Sequence, residues 1–139
     1  MADHNGHGEL FQAIGQALVD ELPDEWESVD VECEMIDFSS RFACAYTAAG
    51  GDLVAFEVPD ELYPLFTELR GEMYEPGKGA WYKARFQMDS SGKFGVDFDY
   101  DSKPNLTGVL DEDYLEDLEK YPRDRELIPA WMPRPADTP

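Results

Sequence analysis

An α+β fold is what this sequence predicts: an antiparallel sheet of about five strands with helices packed on one face, in the order α-β-β-β-α-β-β-α. Three observations carry that expectation. Residues 81–101, WYKARFQMDSSGKFGVDFDYD, alternate with period two on both sides of a Ser-Ser-Gly turn. Two further segments, around Val29–Met35 and Phe42–Tyr46, show the same alternation. Three other segments place apolar residues at helical spacing and are closed by Pro or Gly.

The 139 residues fit one domain, 1–139, with loose ends at 1–6 and 133–139. The first helix runs from about Glu9 to Leu22, with Leu10, Phe11, Ile14, Leu18 and Leu22 on its stripe and Pro23 as its stop. A strand through Val29, Val31, Cys33 and Met35 follows, with Asp30, Glu32 and Glu34 on its other side. A turn at Asp37-Phe38-Ser39-Ser40 is expected to set Met35 opposite Phe42, Cys33 opposite Cys44 and Val31 opposite Tyr46. Leu53–Phe56 forms a third strand, and Pro59-Asp60-Glu61 opens a second helix with Leu62, Leu65, Phe66, Leu69 and Met73 inward. In the central hairpin a loop between Asp89 and Lys93 puts Gly92 where φ must be positive. Its register faces Met88 with Phe94, Phe86 with Val96, Ala84 with Phe98 and Tyr82 with Tyr100. Arg85 then meets Asp97 and Lys83 meets Asp99 as cross-strand charge pairs. Asp111 is read as the N-cap of a third helix carrying Tyr114, Leu115, Leu118 and Tyr121 inward and Glu112, Asp113, Glu116, Asp117 and Glu119 outward. One more helical turn, with Trp131 as a lid, closes the chain.

Composition narrows the function. A formal charge of −20 and a pI near 4.1 disfavour nucleic acid and anionic membrane as partners, and favour a basic one. No run is long enough to span a membrane and no signal peptide opens the chain, which places the protein in the cytoplasm. In that compartment Cys33 and Cys44 are expected as packed thiols rather than a disulfide. No phosphate-binding glycine loop, nucleophile elbow or calcium loop is present, and His4 and His7 are the only histidines. The chain is therefore read as a non-enzyme with no cofactor and no metal. The carboxylates Asp97, Asp99 and Asp101 are expected in a row on the water side of the sheet, joined by Glu32 and Glu34 and edged by Trp81. These six are the candidate partner-binding residues, with Glu112, Asp113 and Glu116 as a second patch. A rim position sealing the core is the alternative role for Trp81.

Several segments together resemble the YezG-like immunity proteins, antitoxins of LXG-type and related polymorphic toxins. They are Leu22-Pro23-Asp24-Glu25-Trp26, the acidic strand after it, the Leu62–Arg70 helix and, most specifically, the Trp81–Asp101 hairpin with its S-G-K-F-x-V-D-F-D-Y run. The resemblance spans about residues 9–132. It implies a cytoplasmic bacterial immunity protein that binds and neutralises a cognate secreted toxin domain, often a nuclease. The charge argument adds an acidic surface occluding the toxin's active site. Two rival readings stand beside it: an acidic adaptor or chaperone for a basic secreted cargo, and a small ligand-binding or hydrolytic α+β domain. Neither the oligomeric state nor the toxin's chemistry is legible.

Overall fold

The computed structural model describes residues 7–133; the expected loose ends at 1–6 and 133–139, except Pro133, lie outside the described residues, as does His4. Three helices are present: α1 (Gly8–Val19), α2 (Leu62–Met73) and α3 (Asp111–Lys120). Five strands accompany them: β1 (Trp26–Ile36), β2 (Ser39–Ala48), β3 (Leu53–Phe56), β4 (Lys83–Asp89) and β5 (Phe94–Asp99). A short 3-10 turn at Arg125–Leu127 completes the expected α-β-β-β-α-β-β-α order. The strands form one antiparallel sheet in the order β3-β2-β1-β4-β5, so the two hairpins join through β1 and β4.

Alternation decides which face is covered. Val29, Val31, Cys33 and Met35 of β1 and Ala84, Phe86 and Met88 of β4 point to one side. There they join Leu10, Phe11, Ile14 and Leu18 of α1 and Leu62, Phe66 and Leu69 of α2 in one buried cluster. Burial of each large side chain contributes on the order of 1.5–3 kcal/mol, which makes this layer the main source of stability. The third helix sits elsewhere. It packs past the end of the sheet, where Ile36 and Tyr82 meet Tyr114 and Met132 in a second, smaller cluster.

The central hairpin has the register read from the sequence, Met88–Phe94 through Lys83–Asp99. Gly92 has φ +94°, and the Asp89 N–H donates to Lys93 O at 2.9 Å across the loop. The ladder stops one pair early, because the Tyr82 N–H bonds Asp99 O instead of continuing opposite Tyr100. Within the loop the Asp89 carboxylate accepts from the Ser91 hydroxyl at 2.6 Å and from the Ser91 and Lys93 N–H groups. The Ser91 hydroxyl leads these donors in holding the Asp89 carboxyl below its ordinary pKa, against a smaller opposing effect of desolvation. A depressed carboxylate contributes stability above its unfolded pKa and loses it as pH falls through the folded value. Thermal melts should therefore be flat with respect to this group at neutral pH and weaken below about pH 4. Asp89→Asn should remove that component of the acid slope, as melts at stepped pH would read.

The first hairpin corrects the expected register by two residues. Its turn is tighter, with Ile36 opposite Ser39, so Cys33 faces Phe42, Val31 faces Cys44 and Val29 faces Tyr46. The cysteines are diagonal neighbours on one face, and both are free and buried. The first helix is also shorter than expected, ending at Val19, although Leu22 still packs on the core.

A strap after α3 fastens the long connection between α2 and β4. The Arg123 guanidinium donates to Leu127 O at 2.8 Å, Ala80 O at 3.1 Å and Tyr100 O at 2.6 Å, and the Asp124 N–H donates to Gly77 O at 2.7 Å. Gly79 makes room for this. Its φ is +93°, and a Cβ there would lie 2.4 Å from the Arg123 Nε. Gly79→Ala combines a left-handed backbone with that collision and is expected to cost about 1–3 kcal/mol in urea unfolding.

Candidate interaction surface

The face of the sheet away from α1 and α2 has two halves. On β2 and β3 it carries small or apolar residues, Ala43, Ala45, Thr47, Leu53 and Ala55, with Arg41 of β2 opposite Glu34. On β1, β4 and β5 it carries the charges: Asp30, Glu32 and Glu34, then Lys83 and Arg85, then Asp97 and Asp99. Carboxylates and cations thus share this face, with Lys83 and Arg85 on β4 between the acids of β1 and β5.

Those cations lean toward β1. Arg85 stands level with Asp97 in register, yet its guanidinium takes Asp30, with Nη2 2.6 Å from the carboxylate. Lys83 stands level with Asp99 and lies nearer Glu34, at 3.7 Å. The reason is geometric: β4 lies between β1 and β5, so either long side chain has carboxylates on both flanks. Exposed pairs of this kind are worth roughly 0–1 kcal/mol each.

Each expected contact residue can now be placed. Glu32 and Asp97 are exposed on the two strands flanking Arg85 and remain open to a partner. Glu34 is occupied by the protein itself. Arg41 meets it at 3.1 Å, Lys83 at 3.7 Å, and the Asn105 N–H donates to it at 2.6 Å, leaving its side chain only 12% exposed. Asp99 is half-buried and folds over the chain that follows. Desolvation opposes its charge, but the Ser102 and Asp101 N–H groups, with the Ser102 hydroxyl and Lys83, hold its carboxyl below the ordinary pKa. That bend ends β5, so Asp101 leaves the expected row and stands exposed beyond the strand, its carbonyl accepting the Trp131 indole N–H at 2.6 Å.

Trp81 is the clearest correction. It is 0% exposed, in edge contact with Phe66 and tilted against Phe98, so it belongs to the core and cannot edge a surface patch. On α3, Glu112 and Glu116 are exposed, while Asp113 is half-buried and accepts the Leu110 N–H at 2.9 Å as part of the helix start. Helix α3 begins at Asp111 with Leu110 as the N-cap, one residue before the expected cap.

Sequence reading missed one ionic site altogether. Asp117, placed on the solvent face of α3, is 1% exposed and meets Arg70 of α2, itself 2% exposed. Two hydrogen bonds join them, at 2.6 and 2.9 Å, and Arg70 Nε also donates to Trp81 O at 2.5 Å. The guanidinium lies 5.5 Å from the Tyr82 ring centre and 5.1 Å from that of Tyr121. The signal was the spacing: Asp117 falls three residues after Tyr114 and one before Leu118, on the edge of the apolar stripe.

The cysteines offer no nucleophile. Burial pushes the Cys33 thiol far up, with Glu34 and Cys44 adding to it and Arg70 opposing, and burial and Asp30 push Cys44 up to about 11. A protonated thiol is a poor nucleophile. Among the described residues no helix is long and apolar enough to cross a membrane.

Fold and surface together describe a small acidic α+β protein with a charged sheet face and an acidic helix α3. Comparison with known proteins makes this specific. The model of the immunity protein YezG-like family matches residues 55–115, from β3 through α2 and the central hairpin into α3. Immunity protein YezG of Bacillus spizizenii (strain W23) is 26% identical over 110 residues, covering 68% of each chain. Immunity protein YezG of Bacillus subtilis (strain 168) is 27% identical over 109 residues, covering 67% of this chain and 72% of the relative. The hairpin and the Leu62–Arg70 helix, which carried the resemblance, lie within the matched range, and Leu22–Trp26 lies outside it.

Proposed function

We propose that this protein is a cytoplasmic immunity protein: it binds a cognate secreted bacterial toxin domain, basic and of nuclease type, and neutralises it by covering the active site with an acidic surface. The match to YezG-like immunity proteins carries this reading, and the formal charge of −20 supports the basic partner. Glu32, Asp97 and Asp101 are the sheet-side carboxylates assigned to the contact, with Glu112 and Glu116 on α3. They would stand where a nucleic-acid substrate places its phosphates, and their field would draw the toxin in. No catalytic role is assigned to the chain itself. Glu34, Asp99 and Asp113 are left out because their carboxylates already serve the protein's own backbone and cations.

The direct test is co-expression with the toxin domain encoded alongside. Cells should survive only when this protein is present, and the two should purify as one complex with toxin activity abolished. A stable complex whose toxin stays active would turn the reading toward an adaptor for a basic cargo. The triple change Glu32→Gln, Asp97→Asn, Asp101→Asn should slow association about tenfold at low salt and flatten its salt dependence, since steering of this kind accounts for 10- to 1,000-fold in rate. Stopped-flow mixing would show it, and an unchanged rate would remove the sheet face from the contact.

A further inference from the structure

The sheet has two edge strands, β3 and β5. Beyond the end of β5, Arg123 bonds Tyr100 O and Trp131 bonds Asp101 O. Shortness is the one deterrent the β3 edge has: its four residues Leu53–Phe56 contain no lysine, proline or bulge. Among the described residues no hydrogen bond reaches its outer side.

The surroundings of that edge carry one sign of charge. From Phe42 to Leu69 the chain has no lysine or arginine, while Asp52, Glu57, Asp60 and Glu61 are all exposed and meet no cation among the described residues. Elsewhere on the sheet the acids are tempered by Arg41, Lys83 and Arg85. Where β3 ends lies a trough of about 500 Å³ lined by Phe42, Phe56, Val58 and Tyr63 and carrying Glu57 and Asp60. Leu53 at the strand's start is 74% exposed. An open strand edge supplies backbone affinity, the trough accepts an apolar side chain, and the acids select cations.

We propose that β3 is a docking strand for an extended segment of the partner toxin in which lysine or arginine alternates with apolar residues. The added strand would set a cation near Glu57 and an apolar residue in the trough. This rests on the immunity reading and adds a second contact to the acidic face described above. A second copy of this chain is a poor occupant, because antiparallel pairing of β3 with itself would set Asp52 against Glu57 at both ends. The shortness of the strand limits adventitious pairing, so the charges must supply the selectivity.

The test titrates the isotope-labelled protein with an octapeptide of alternating lysine and valine. Amide shifts should move at residues 52–57, amide exchange at 53–56 should slow, and a glutamate–valine peptide should do neither. The variant Glu57→Lys, Asp60→Lys, with an unchanged circular dichroism spectrum, should bind at least tenfold more weakly. Shifts confined to β5 or α3, no binding at millimolar peptide, equal binding by the variant, or a dimer protecting the same amides would each overturn the proposal. Deuterium exchange on the toxin complex separates the two readings. Protection at 53–56 supports the docking strand, and protection elsewhere overturns it while leaving the immunity role intact. Failure of any toxin complex to form would overturn the immunity role itself, and with it this assignment of a toxin segment to β3.

Discussion

Replacing Asp117 with alanine is expected to lower the unfolding free energy by about 3–5 kcal/mol, enough to leave a chain of this size marginal. Arg70 is 2% exposed, and without Asp117 its charge would stay buried with one carbonyl acceptor, Trp81 O, and two aromatic faces. The cost would come from stranding that charge rather than from the Coulomb energy of the pair. The matched double change Arg70→Met, Asp117→Leu should therefore recover much of the loss, as buried pairs exchanged for apolar residues often do. Urea titrations of the single and double variants check this. A single variant within 1 kcal/mol of the parent would mean that water reaches the pair.

Trp81→Ala should cost a similar amount, about 3–5 kcal/mol, because the ring is fully enclosed between Phe66 and Phe98. Trp81→Phe should cost much less. It keeps an aromatic ring in that position and removes an indole N–H that has no hydrogen-bond partner among the described residues. A residue at the toxin contact would behave differently. Its replacement would leave urea stability unchanged and weaken the complex, whereas Trp81→Phe should bind toxin as the parent does. Equilibrium unfolding paired with toxin titration separates the two roles.

What the sequence made legible follows from where the information lies. The register of the central hairpin was readable from Lys83–Asp99 to the loop because one glycine at φ +94° and unbroken alternation fix it together. The first hairpin has no such pin. Asp37-Phe38-Ser39-Ser40 permits turns of different length, and a two-residue slip keeps every side chain on the same face, so polarity alone could not choose. The water side of the sheet was readable as a face. Its ion pairs were not, because a long cation on a central strand can reach either neighbour, and Arg85 and Lys83 both reached toward β1. Trp81 and Asp117 went astray for a common reason. Each lies at the sheet end, where α2, α3 and the start of β4 converge, and its burial is set by the other two elements rather than by the periodicity of its own.

The two thiols have a practical consequence. Both sit on the covered side of the sheet, Cys33 on β1 and Cys44 on β2, and both stay protonated at neutral pH. A thiol-reactive dye added to the intact protein should find nothing to label, and each molecule that opens should take it up at both positions. The chain thus contains its own stopwatch for opening, readable without tags or reporter substitutions, with and without a bound toxin.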